Sequence, residues 1–161
     1  MGGLHYGIVL SDRNRKNPNL VILPLTYVKP SKNLNALHPT ELYIGEELYH
    51  KIQGKYTALR TSIPTELKLL SQAAPRHDQL YQNQKRLREL EQKIDLLDKT
   101  MKKLQTLKHG SIVVLNQIRT ISKMRISAPT DSYDILYDLR LSEANLTAIE
   151  QRLKYLYLKS T

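Results

Sequence analysis

The rhythm of apolar and polar positions changes several times along this chain. Residues 4–10 are a short run of strand-forming types, Leu-His-Tyr-Gly-Ile-Val-Leu, which gives way to a polar stretch through residue 19. Asn17-Pro18-Asn19 supplies turn chemistry, and a second apolar run follows at 20–27. Two such runs joined by a polar connection predict a β-hairpin with a long loop. Pro24 interrupts the second run, which predicts an edge strand or a bulge there. Beyond a loop at 29–33, Glu41-Leu42-Tyr43-Ile44 before Gly45 predicts another short strand. No period fixes an element over 46–64, and residues 65–73, after Pro64, predict a helical turn or two.

After Pro75 the period lengthens. Leu80, Leu87, Leu90, Ile94, Leu97, Met101 and Leu104 follow the alternating three-and-four spacing of a heptad seam, broken only at Asn83. The intervening positions are mostly charged or Gln, so an amphipathic helix is predicted over about 78–107, with His109-Gly110 as its stop. The seam fits packing against the chain's own helical stretches, residues 65–73 or 146–156. Pairing with another chain is the alternative, but the stretch is short for an isolated coiled coil. Strand character returns at 111–115 and 118–126, and Ala128-Pro129-Thr130 closes that block. Ser142 is the N-cap of a last helix with the stripe Leu146, Ile149, Leu153 and Leu156. Strands, long helix, strands, helix is an α+β order, a small β domain carrying a helical insertion. The expected division is a β core of 1–45 and 109–161 with an insertion of 46–108.

Charge sharpens the functional side. Twenty-five Lys and Arg oppose fifteen Asp and Glu, a net +10, which favours a polyanionic partner. Cysteine is absent, which excludes disulfides, thiolate metal sites and cysteine nucleophiles. His38, His50, His77 and His109 show no metal-ligand spacing, and the glycines form no phosphate-binding loop, so neither metal nor cofactor is expected. The longest apolar run, 20–25, is far below the roughly 20 residues of a membrane span. The N-terminus has no signal-peptide pattern, and a soluble, cytoplasmic protein without membrane contact is expected.

Three blocks carry a family resemblance. Gly3-Leu4-His5-Tyr6-Gly7-Ile8-Val9-Leu10-Ser11, followed by Val21-Ile22-Leu23-Pro24-Leu25-Thr26, resembles the second and third strands of MazF/PemK-type toxins. Asn116-Gln117-Ile118-Arg119-Thr120-Ile121 with Arg125 resembles a later block of the same family. The resemblance implies a small SH3-like β-barrel with a C-terminal helix, usually a homodimer, that cleaves single-stranded RNA and is neutralised by a cognate antitoxin. It implies metal-independent attack of the substrate's 2′-hydroxyl on the adjacent phosphate, which needs proton transfer and charge stabilisation. On that pattern His5 and Thr26 take the catalytic positions, with His5 where the family most often has Arg. RNA contacts fall to Arg119, Lys123, Arg125 and Gln117, with Tyr6 and Tyr27 as base-stacking candidates. The family's first strand has no counterpart here, so a barrel lacking that strand is expected. The alternative is a non-catalytic nucleic-acid- or protein-binding module on the same scaffold. A gyrase-poisoning toxin of related fold is disfavoured, because the chain ends Leu158-Lys159-Ser160-Thr161 without Trp.

Overall fold

The computed structural model describes residues 6–10, 17–72, 80–126, 129 and 133–158. Its elements are β1 (Tyr6–Val9), β2 (Asn19–Tyr27), β3 (Glu41–Tyr43), α1 (Glu47–Gln72), α2 (Leu80–Leu104), β4 (Ser111–Val114), β5 (Arg119–Ser122) and α3 (Glu143–Tyr157). The fold is α+β, a small open antiparallel sheet with three α-helices. The chain divides into two compact units. A sheet unit comprises Met1–Tyr49, Thr106–Ser127 and Arg140–Thr161, and a helical unit comprises His50–Gln105 and Ala128–Leu139.

In the sheet unit β2 is the spine. The strand order is β1-β2-β4-β3, and β5 also pairs with β2. On one side β1 runs antiparallel to β2, from Tyr6 opposite Leu25 to Val9 opposite Ile22. The other side is shared: β5 covers Asn19 to Ile22, and β4 covers Leu25 to Tyr27. This arrangement explains Pro24, which lies inside an interior strand rather than at the edge its ring predicts. Leu10 N donates to Val21 O at 2.9 Å, so Val21, Leu23 and Leu25 turn their main-chain groups toward β1. Pro24 therefore faces the opposite side, where β5 has ended and β4 has not begun. Its missing N–H falls in that gap and costs the ladder nothing.

Central strands are buried on both faces, and β4 is: Ser111, Ile112 and Val113 are all inaccessible. Ile112 and Val113, with Leu23, Val28, Ile44, Leu48, Leu107, Leu115 and Ile149, form the buried apolar set of this unit. Gly110 (φ +95°) leads into β4. A Cβ there would collide with the Tyr43 ring and come within 2.9 Å of Gly45 O, so only glycine fits. Ser142 caps α3, its Oγ accepting from Asn145 N at 3.3 Å. The Glu47 carboxylate fastens this helix start. It accepts from Ser142 N at 2.6 Å, from Ser142 Oγ at 2.7 Å and from the Asn145 side-chain amide. At the far end Tyr157 Oη donates to Leu115 O at 3.1 Å.

The helical unit corrects the sequence reading most. Instead of an unassigned stretch and a short turn after Pro64, one 26-residue helix runs from Glu47 to Gln72 straight through that proline. An interior proline costs a helix about 3 kcal/mol or more, so packing has to override it. Ile52 and Ile63, both N-terminal to the proline, are buried to 1% and 0% exposure and anchor the helix up to it. Its many hydroxyls bond back along the helix, as Thr57 does to Gln53 O and Thr61 to Thr57 O. These short polar side chains blur the apolar period from which α1 would otherwise be read. The heptad helix forms as α2, with Leu90, Leu97, Met101 and Leu104 buried. Polar contacts tie it to α1: Tyr56 Oη donates to Asp98 Oδ1 at 3.0 Å, and Arg86 pairs with Glu66 at 2.9 Å. Intramolecular packing is thus the role of the seam within this chain.

Tyr133 brings the 133–139 segment onto the same pair of helices. Its hydroxyl accepts from Arg86 Nη2 at 2.9 Å and donates to Glu66 Oε2 at 3.0 Å, while Lys93 Nζ lies 3.9 Å from its ring centroid. Two residues on, Ile135 is buried, and Lys55 Nζ donates to the Tyr137 carbonyl. The hydrogen bond from Arg86 holds the Glu66 carboxyl below its ordinary range, with help from Tyr133.

Candidate nucleic-acid interface

Strand alternation fixes which candidate side chains share a face. Thr26, opposite Ile112, is exposed and lies on the same face as Ile22. Arg119 is the residue opposite Ile22, so it too belongs to that face. Thr26 and Ile22 are four residues apart, which at about 3.4 Å per residue sets Arg119 roughly 13 Å from Thr26 along the strand. Tyr6 and Tyr27 lie on the other face, flanking the row of Leu25. Tyr27 is 44% exposed, while Tyr6 is half-buried and its burial pushes the phenol pKa up. It is therefore a neutral hydroxyl near neutral pH.

The remaining basic candidates follow β5. The strand predicted for 118–126 is shorter, Arg119–Ser122, because Ser122 caps a 3₁₀ turn at Lys123–Arg125. That turn is braced from β2, since Lys123 N donates to Pro18 O at 2.9 Å. Gln117 is exposed at the end of the 3₁₀ turn Leu115–Gln117 that leads from β4 to β5. Arg119, Gln117, Lys123 and Arg125 are thereby gathered on one segment at the Asn19–Ile22 end of β2, and Thr26 stands at the other end. His5 lies outside the described residues.

A polar cluster that sequence reasoning missed lies in the β2–β3 connection. Lys32 Nζ pairs with Glu41 Oε2 at 2.8 Å, and this bond chiefly holds the Glu41 carboxyl below its usual range. His38 N donates to the same carboxylate at 3.2 Å. The His38 ring takes Thr40 as its neighbour: Nδ1 is 2.7 Å from Thr40 Oγ1 and accepts from Thr40 N at 3.3 Å. Thr40 thus engages the Nδ1 side of the ring through both its hydroxyl and its main-chain N–H. Arg152 Nε, from α3, donates to Pro39 O at 3.0 Å. These contacts fasten the connection, and the only sequence signal for them is His-Pro-Thr-Glu before a strand.

Guanidinium and ammonium groups thus gather on the β5 segment of the sheet. Among the described residues no group of His, Asp and Glu converges in a way that could hold a metal ion. No helix among them is long and apolar enough to cross a membrane. Comparison of the chain with family models, curated proteins and solved structures found no match.

Proposed function

We propose that the sheet unit binds single-stranded RNA along β5 and the turn after it. The observation that carries this reading is the one-signed charge of that segment. Arg119, Lys123 and Arg125 lie in a stretch, residues 99–130, that contains no Asp or Glu. A polyanion gains there by counterion release without a competing carboxylate in the segment. The MazF/PemK resemblance adds cleavage: the sheet is then the open counterpart of an SH3-like barrel, and the chain acts as a homodimer in the cytoplasm under an antitoxin's control. His5 exchanges the protons, and Thr26 donates to the phosphate as charge builds on it.

The test is cleavage of single-stranded RNA in excess EDTA. An active protein leaves a 2′,3′-cyclic phosphate, and a 2′-deoxy substitution at the cut site abolishes cleavage. His5→Ala is expected to slow the reaction by about 10² or more. Thr26→Val is expected to slow it without unfolding the protein. Cleavage that requires Mg²⁺, or that keeps its full rate in His5→Ala, overturns the mechanism. The second reading, a binding module without catalysis, is favoured by the separation of roughly 13 Å between Thr26 and Arg119 along β2. RNA binding without any cleavage selects it.

A further inference from the structure

The turn that ends β5 holds out a side chain for which the fold has no use. Met124 is 96% exposed, and Ile118 and Ile126, to either side on the same segment, are 42% and 36% exposed. Leaving a Met side chain in water forgoes the stabilisation that its burial would give. The position is nonetheless fixed. Met124 N donates to Ser122 Oγ at 3.3 Å, Ile126 N to Lys123 O at 3.1 Å, and Lys123 N to Pro18 O at 2.9 Å. Short bonds from both β5 and the entry to β2 thus hold a thioether in solvent between two cationic residues.

We infer that Met124 is a base-contacting wedge for single-stranded RNA. Phosphates run along Arg119, Lys123 and Arg125, and an unpaired base lies against the thioether, with Ile118 and Ile126 as an apolar rim. This rests on the RNA-binding reading above and deepens it by naming the side chain that meets bases rather than backbone. A plain polyanion would use the three cations but leave the apolar side chain among them without a partner. A single strand offers both parts, an anion and an unstacked flat apolar face at every nucleotide. Sulfur is polarisable and packs well against such π faces. The absence of carboxylates over 99–130 gives an acidic peptide the same charge attraction, but a peptide offers a flat apolar face only where it carries an aromatic residue, whereas a single strand pairs one with every phosphate.

Fluorescence anisotropy with a labelled short oligouridine, as a function of salt, separates the two contributions. Met124→Ala is expected to weaken binding about tenfold while leaving the log–log salt slope unchanged, as for lost base stacking. Arg119→Ala combined with Arg125→Ala is expected to flatten that slope by about 1.4, the single-strand value for two phosphates. The chain has no Trp, so Met124→Trp installs the only indole, and its emission is expected to be quenched as RNA binds. Unchanged affinity in Met124→Ala, or an unquenched indole on bound RNA, overturns the wedge. So does an abasic oligomer bound by the parent protein as tightly as oligouridine. Binding of oligoglutamate in place of RNA makes the surface a protein-docking site and also overturns it. Binding that depends on Met124 without cleavage leaves the wedge standing and removes only the nuclease reading.

Discussion

The sheet unit carries thirteen Lys and Arg against six Asp and Glu, a net +7, whereas the helical unit carries twelve against nine, a net +3. The disposition of those charges differs more than their totals. In the helical unit opposite charges meet: Arg86 with Glu66, Arg60 with Asp98, and Lys85 with Glu89 along α2. Lys93 and Arg86 also sit over the Tyr133 ring. In the sheet unit the 106–127 stretch contains four basic residues and no acidic one. Cations interspersed with carboxylates knit helices together, while a stretch of basic residues alone carries a net positive charge. The ion pairs of the helical unit thus serve its packing, and the proposed RNA surface draws on the one-signed stretch of the sheet unit.

Breaking the apolar side of the helical unit is expected to have the largest effect. Leu90 and Leu97 are 0% and 3% exposed, and truncating such a leucine costs about 2–5 kcal/mol. Leu90→Lys with Leu97→Lys adds the desolvation of two ammonium groups, so ellipticity at the helical minimum should fall sharply. An unchanged spectrum and melting temperature would mean that the seam buries nothing. Next comes Gly110→Ala in the sheet unit, which forces a side chain into the left-handed region and against Tyr43 and Gly45. Backbone strain of that kind costs on the order of 1–3 kcal/mol and should appear as a lower Tm.

The smallest expected effect sharpens the electrostatic contrast. Glu66 is ionised in both folded and unfolded chains above its ordinary value of 4.5, so its pairing contributes fully there. As pH falls below 4.5 the unfolded chain takes up a proton first, and the contribution shrinks until the lower folded pKa is passed. The pair is a third exposed, which limits its worth to about 1 kcal/mol or less. Glu66→Gln should therefore lower Tm slightly at neutral pH and converge with the parent in acid. A gap that widens in acid would reverse the assignment.

These regions also differ in how far their sequence betrays them. The α2 seam was legible because its apolar residues recur at heptad spacing, and Leu90, Leu97, Met101 and Leu104 among them become buried. Its neighbour α1 was not, since Thr57, Thr61 and Thr65 take helical positions and Pro64 imitates a boundary. The run 118–126 is rich in strand-forming Ile and Thr, yet Ser122 accepts from Met124 N and turns the chain into a 3₁₀ turn. Types of candidate residue could be read locally, but their mutual placement depends on register. Nothing near Thr26 or Arg119 in the sequence says that β5 meets the opposite end of β2. Tyr133 was hidden for the same reason: its partners Glu66 and Arg86 lie 67 and 47 residues away.

The close of β3 on β4 has a consequence for how this chain tolerates change. Ile44 N donates to Ser111 O and Ser111 N to Gly45 O, both at 3.0 Å, so the chain leaves the sheet and re-enters it through one pair of residues. Residues 46–110 leave and rejoin the sheet at this neck, one hydrogen-bonded rung wide, while the chain passes into the helical unit a second time at 128–139. Loop closure grows only logarithmically with length, each doubling adding about 0.6 kcal/mol. A lineage could lengthen or shorten the connection there while the β3–β4 register stayed as it is, provided Glu66 and Arg86 kept their hold on Tyr133. The neck thus makes position 45 to 111 a natural splice point, with the first turn of α1 kept for its hold on Ser142.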